Sequence, residues 1–188
     1  MMTAGRDPRG FGLIGGREAD DRLVERLRRG DRAAAHSFYE THASKIRRFI
    51  LQALGGGSDA DADDLLHETF LGLAEALPYF RGQSSLYTFA CAIAHRKVAS
   101  FFRSRRRRER FAASLPEPPP AEAPSDEHGD LRRALRKLKV EQREVLYLKY
   151  VESFSVREIA SVVQTSERAV ESLLARGRRK LRAALREP

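Results

Sequence analysis

Three stretches of this 188-residue chain carry polar side chains whose types and spacings suit particular chemistry. In the first, Asp59, Asp61, Asp63, Asp64, His67 and Glu68 crowd one short segment. Carboxylates and an imidazole at that density are the raw material of a metal site. The calcium-loop template fails, because Asp64 stands where glycine is required and Phe70 where a bidentate Glu belongs. The His-Glu pair lacks the second His of a zinc-protease motif. Two other readings stay open: acids near a helix N-terminus that complement its dipole, and an acidic docking face for a basic partner.

The second stretch is Pro78-Tyr79-Phe80-Arg81-Gly82-Gln83-Ser84-Ser85-Leu86-Tyr87-Thr88-Phe89. Aromatic rings interleaved with Arg, Gln and Ser in a turn suit unpaired bases, which stack on rings and are read on their exposed edges. At least one of Phe80, Tyr87 and Phe89 is instead expected in the core. The segment that follows carries His95, Arg96, Lys97, Arg103 and Arg105 to Arg108. A charge run is more often a solvated face than a site, but this one adjoins the aromatic turn.

The third stretch, Ser155 to Leu174, has the spacing of a helix-turn-helix. Ser155 can cap a short helix with Glu158 completing a capping box. Ile159 and the small Ala160 face inward, Gln164-Thr165-Ser166 form the turn, and Thr165 or Ser166 caps the second helix. Val170 and Leu173 or Leu174 pack that helix down. Arg168, Glu171, Ser172, Ala175 and Arg176 are left on its outer side, a face suited to a major groove. Arg178, Arg179, Lys180 and Arg182 would attract the phosphate backbone.

The elements that must position these residues are all helical, so the predicted fold class is all-α. Residues 1–18 are Gly- and Arg-rich without periodicity and are expected to be a disordered tail. The spacing predicts a helix from Asp20 through Leu23, Val24 and Leu27, stopped by Gly30. A second runs from about Asp31 to Leu54 with Phe38, Ile46, Phe49 and Ile50 as its apolar stripe. A third runs from Asp61 to Leu77, and a fourth from about Ser85 to Arg108. Residues 111–128 then turn acidic and Pro-rich, with Pro116, Pro118, Pro119, Pro120 and Pro124 in a linker that cannot be helical. That linker divides a domain at 19–110 from a second small helical domain at 129–186, which contains the helix-turn-helix.

Bulk composition narrows the partner. Lys plus Arg is 35 against 26 for Asp plus Glu, a net charge of +9 that favours a polyanion. Cys91 is the sole cysteine, so no intrachain disulfide and no zinc cluster are expected. It lies in an apolar stretch and reads as core rather than as a redox sensor. No segment has the apolar core of a signal peptide or the ~20 residues of a membrane span, so a cytoplasmic protein is expected.

Taken in order, these residues resemble the extracytoplasmic-function sigma factors of bacterial RNA polymerase over nearly the whole chain, from about Asp20 to Leu185. Asp61-Ala62-Asp63-Asp64-Leu65-Leu66-His67-Glu68-Thr69-Phe70-Leu71 is similar to the segment that docks on the polymerase's largest subunit. The resemblance implies a core-polymerase face at Asp61, Asp63, Asp64, Leu65, His67, Glu68 and Phe70. It implies −10 DNA contacts from Phe80, Arg81, Gln83, Ser84, Ser85, Tyr87, Arg96, Lys97 and Arg103, with the loop 80–85 capturing a flipped-out base. It implies −35 contacts from Arg168, Glu171, Ser172, Ala175, Arg176, Arg178 and Arg179. Core RNA polymerase, promoter DNA and an anti-sigma factor wedged between the domains are the implied partners. No metal, cofactor, small-molecule substrate or catalysis by this chain is expected, and the linker is expected to thread toward the RNA exit path.

Several positions depart from the family pattern. His67 replaces a usual Gln, Arg96 a usual Asn, and Phe89 a common Trp. Gln164 takes a turn position often held by Gly, where a positive φ is costlier. Glu171 stands where a basic residue is common; it repels phosphate but can accept from cytosine N4. A free-standing helix-turn-helix regulator would also explain the C-terminal half, though not the order of acidic helix, aromatic turn and arginine helix. A nuclease built on the acidic cluster lacks a second converging motif.

Overall fold

The computed structural model describes residues 15–55, 58–112 and 129–186. Its order is α1 (Gly15–Arg28), α2 (Arg32–Leu54), α3 (Asp59–Ala76), a 3-10 turn at Leu77–Tyr79, α4 (Leu86–Ala112), α5 (Gly129–Arg136), α6 (Val140–Tyr150), α7 (Val156–Val162) and α8 (Glu167–Ala184). No strand occurs among the described residues. The helical reading holds throughout, with shifted ends. Helix α1 begins at Gly15, inside the stretch expected to be a tail, and residues 113–128 of the expected linker lie outside the described residues.

Capping explains most of the ends. Asp31 accepts from the backbone N–H of Ala33 and Ala34 at 2.9 and 3.0 Å and starts α2. Ser58, ahead of the expected start of the third helix, caps α3, whose first turn carries Asp59 and Asp61. Ser155 and Glu158 form the expected capping box on α7. Ser166 accepts from Ala169 N at 3.2 Å and is the cap of α8. Between α7 and α8, Gln164 sits at φ 53, the left-handed region expected there; a non-glycine residue is strained in it.

Helices α1 to α4 pack around Ile46, Phe49, Ile50, Leu65, Leu73, Leu86 and Val98, all at most 6 % exposed. Helices α5 to α8 pack around Val145, Leu148, Phe154, Ile159, Val162 and Val170. Each such side chain contributes about 1.5–3 kcal/mol on burial. Gly177 permits the close crossing of α6 and α8: a Cβ there would meet Leu146 at 3.1 Å. The two sets do not keep separate cores. One buried cluster runs through both, joined where α6 lies on α2 and α7 on α4.

Candidate nucleic-acid interface

Helix α3 presents Asp64, His67 and Glu68 to solvent on one face. Leu71 extends that face at 54 % exposure, an apolar residue that its spacing of three and four from Glu68 and His67 places beside them. The acids are partly paired: Arg47 of α2 bridges Asp63 at 2.6 Å and Asp59 at 2.7 Å, and Glu68 meets Lys97 of α4 at 3.2 Å. The Arg47 bond holds the Asp63 carboxyl below its usual range. Among the described residues no three His, Cys, Asp or Glu side chains converge enough to hold a metal. Two expected members of this face behave differently. Leu65, 4 % exposed, points into the core because it lies on the opposite side of the helix from Asp64 and His67. Phe70 is half-buried, its ring 4.7 Å from Tyr39 and 6.3 Å from Phe38.

The aromatic turn divides in the same way. Phe80 is 7 % exposed with its ring 4.9 Å from Phe89, so it anchors the loop rather than offering a free stacking surface. Arg81 and Gln83 are exposed, and Ser84 and Ser85 half-buried. Both ends of the loop are held by α1. Arg28 donates to the carbonyls of Leu77 and Phe80, and Asp20 Oδ2 accepts from Leu86 N at 2.8 Å, capping α4. Ser85 Oγ adds a bond from Thr88 N at 3.0 Å. Asp20 and Arg28 act on residues about fifty to sixty-six positions away, and nothing in local spacing marks them. From the rigid loop, α4 carries Arg96 and Arg103 exposed and Lys97 half-buried on its outer side.

A second stripe of α4, Tyr87, Cys91 and His95 at four-residue spacing, turns toward α6 and α7. Tyr87 stacks on His42 at 4.7 Å and meets Phe154 edge-on at 5.8 Å. Its hydroxyl donates to Glu152 at 2.7 Å. Cys91 is fully buried, its thiol pushed up to about 12 by burial, in line with a core residue.

His95 Nδ1 lies 3.1 Å from both oxygens of Glu144, which is almost fully buried. Burial alone would lower the His95 pKa, but the bond and charge of Glu144, helped by Glu141 and opposed by Arg96, leave it raised above 6.5. Burial raises the Glu144 carboxyl, with His95 pulling the other way. Both groups therefore hold protons more tightly in the packed form. The His95 contribution is fully present below pH 6.5 and is lost as pH rises through its folded value. His42, lowered mainly by burial with Lys45 adding to it, titrates in the opposite sense below 6.5. Between pH 6.5 and 8 the free energy of unfolding is expected to fall, by at most about 1.4 kcal/mol per pH unit, and the thermal midpoint with it. His95→Gln should remove most of that slope; an unchanged slope would separate it from this pair.

The helix-turn-helix face is open. Arg168, Glu171, Ser172, Ala175, Arg176, Arg178 and Arg179 are all exposed on α8, while Val170 and Leu174 are buried beneath them. Arg176 Nε donates to Ser172 O at 3.3 Å, and Arg178 donates to the Tyr150 hydroxyl at 3.2 Å.

Residues 38–108 match the family model for Sigma-70 region 2, and residues 128–181 match that for Sigma-70, region 4. The chain is 30% identical over 169 residues to the RNA polymerase sigma factor CarQ of Myxococcus xanthus, covering 87% of this chain and 96% of that protein. It is 31% identical over 168 residues to the ECF RNA polymerase sigma factor BldN of Streptomyces coelicolor, covering 85% of this chain but only 63% of that longer protein. Its fold matches the sigma factor RpoE solved with the anti-sigma factor NepR from Bartonella quintana. That match has a TM-score of 0.68 at 21% identity and covers 81% of this chain and 96% of that one.

Proposed function

Since the chain belongs to the extracytoplasmic-function sigma factors of RNA polymerase, we propose that it directs promoter-specific initiation through three surfaces assigned residue by residue. The exposed face of α3, Asp64, His67, Glu68 and Leu71 with Asp63 at its edge, docks on core polymerase. Arg81, Gln83, Ser84 and Ser85 of the loop, with Arg96, Lys97 and Arg103 of α4, take the −10 strand. Arg168, Glu171, Ser172, Ala175 and Arg176 of α8 enter the −35 major groove, and Arg178 and Arg179 hold phosphates. In domain terms, residues 19–110 bind polymerase and melt DNA, and residues 129–186 read the duplex.

The observation that carries this reading is the pairing, on one chain, of an open recognition face on α8 with a clamped polar loop feeding a basic helix. The α8 face reads paired bases; the loop and α4 suit unpaired ones. Phosphate contacts fix register, and capture of unpaired bases offsets the few kcal/mol lost on unstacking. The polymerase performs the chemistry, so this chain acts in the cytoplasm as a binding subunit, and an anti-sigma factor restrains it.

Purified chain mixed with bacterial core polymerase tests the assignment directly. The two are expected to co-elute and to select a paired −35/−10 motif from a randomised promoter library. Glu171→Ala is expected to relax preference for cytosine at one −35 position by about 1–3 kcal/mol of discrimination. An unchanged −35 logo would remove Glu171 from the readout.

A further inference from the structure

Three aromatic side chains are exposed among the described residues: Tyr39, Tyr79 and Tyr150. Two of them have partners. The Tyr39 ring lies 4.7 Å from Phe70, and the Tyr150 hydroxyl accepts from Arg178 at 3.2 Å. Tyr79 is the most open, at 82 % exposure, and its side chain makes no hydrogen bond or ring contact with the described residues. Its backbone, by contrast, is fixed. Tyr79 ends the 3-10 turn Leu77–Tyr79, in which Pro78 locks φ. The flanking Leu77 and Phe80 are buried, and Phe80 N donates to Leu77 O at 3.2 Å across the turn. Arg28 of α1 donates to the carbonyls of the same two residues. The chain is therefore held on both sides of Tyr79 while the ring itself stands in water.

Resting on the promoter reading above, we propose that Tyr79 is the stacking platform for an unpaired base of the melted −10 strand, at the entrance of the loop that carries Arg81 to Ser85. Stacking needs a ring with an open face, and it gains when that ring is already held, because little ordering is left to be done on binding. The neighbouring rings offer no such face. Phe80 packs on Phe89 at 4.9 Å, and Tyr87 lies against His42 and Phe154 with its hydroxyl on Glu152. Charge favours DNA as the occupant. Arg28, bonded across the turn, and the exposed Arg81 two residues on supply cations for the phosphates of a strand whose base lies on the ring. The α3 face assigned to polymerase is instead acidic, at Asp64 and Glu68. Every base has a π-face, so Tyr79 holds the melted strand without reading which base it carries.

Abasic scanning of the −10 strand tests the assignment. The probe is a fluorescent single-stranded oligonucleotide carrying the non-template −10 strand of a promoter selected by the wild-type holoenzyme, with one base removed at a time. Wild-type holoenzyme is expected to lose about 10-fold in affinity when the stacked base is removed. Tyr79→Ala holoenzyme should bind the intact strand about 10-fold more weakly than wild type, and lose nothing further at that position. Tyr79→Phe, which keeps the ring, should restore both the affinity and the wild-type scan. The Tyr79 side chain carries no core packing, so the thermal midpoint of either variant should match wild type. Wild-type affinity of Tyr79→Ala for the intact strand would overturn the proposal, as would a loss that adds equally at every abasic position or an altered −10 preference. A loss traced to weaker association with core polymerase would overturn it too, and place the ring on the polymerase. A wild-type chain that selects no promoter with core polymerase would remove the promoter reading itself, and this assignment with it.

Discussion

Asp64→Lys with Glu68→Lys on the outer face of α3 is expected to lower promoter-dependent transcription about 100-fold while leaving the helical fold intact. Both side chains are exposed, and neither carries core packing. Glu68 gives up only a surface pair with Lys97, which is worth at most about 1 kcal/mol. Each reversal turns an attraction to a basic partner into a repulsion, and about 1.4 kcal/mol for each corresponds to the 100-fold figure. The loss should appear as weaker binding to core polymerase, measured by titration against a labelled competitor sigma factor, and should shrink as salt is added. Wild-type affinity in the variant would remove this face from the polymerase interface.

Arg143→Ala is expected to have the largest effect on stability, about 3–4 kcal/mol. The substitution leaves the carbonyls of Ala53 and Leu138 buried without their donor, at about 1–3 kcal/mol each, and opens a void where the guanidinium covered Gly55. In a chain of this size that lowers the thermal midpoint by roughly 6–16 °C. Arg143→Lys should recover only part, because an ammonium cannot bridge two carbonyls as the planar fork does. If Arg143→Ala instead melts like wild type, the α2–α6 contact contributes little in solution.

Much of this was legible in the sequence, for local reasons. Ser155 with Glu158, Asp31, and the 3.6-residue recurrence of Leu65, Leu66, Phe70 and Leu73 act within a turn or two, so spacing reveals them. The left-handed Gln164 was visible because a turn of fixed length demands it. The recognition face of α8 followed from its periodicity: the buried Val170 and Leu174 leave Arg168, Glu171, Ser172 and Ala175 outside. What stayed hidden depends on tertiary contact. Leu65 belongs to the docking segment by position, yet its helical angle turns it to the core. Phe80 looked like a base-stacking ring but packs on Phe89, because the loop needs an apolar anchor. Asp20 and Arg28 hold the loop from a helix far upstream, and Glu144 meets His95 across 49 residues and a domain boundary. A polar residue inside an amphipathic helix gives no sign of which distant surface will bury it.

Runoff transcription is the most direct test of the central claim, using the purified chain, bacterial core polymerase and a genomic promoter library. Core enzyme, which alone lacks promoter specificity, is expected to initiate at discrete start sites that share a −35/−10 pair, with mutation of either element abolishing the transcript. Core polymerase that gains no promoter specificity, while the chain alone binds duplex DNA, would contradict it and leave a free-standing helix-turn-helix regulator in its place.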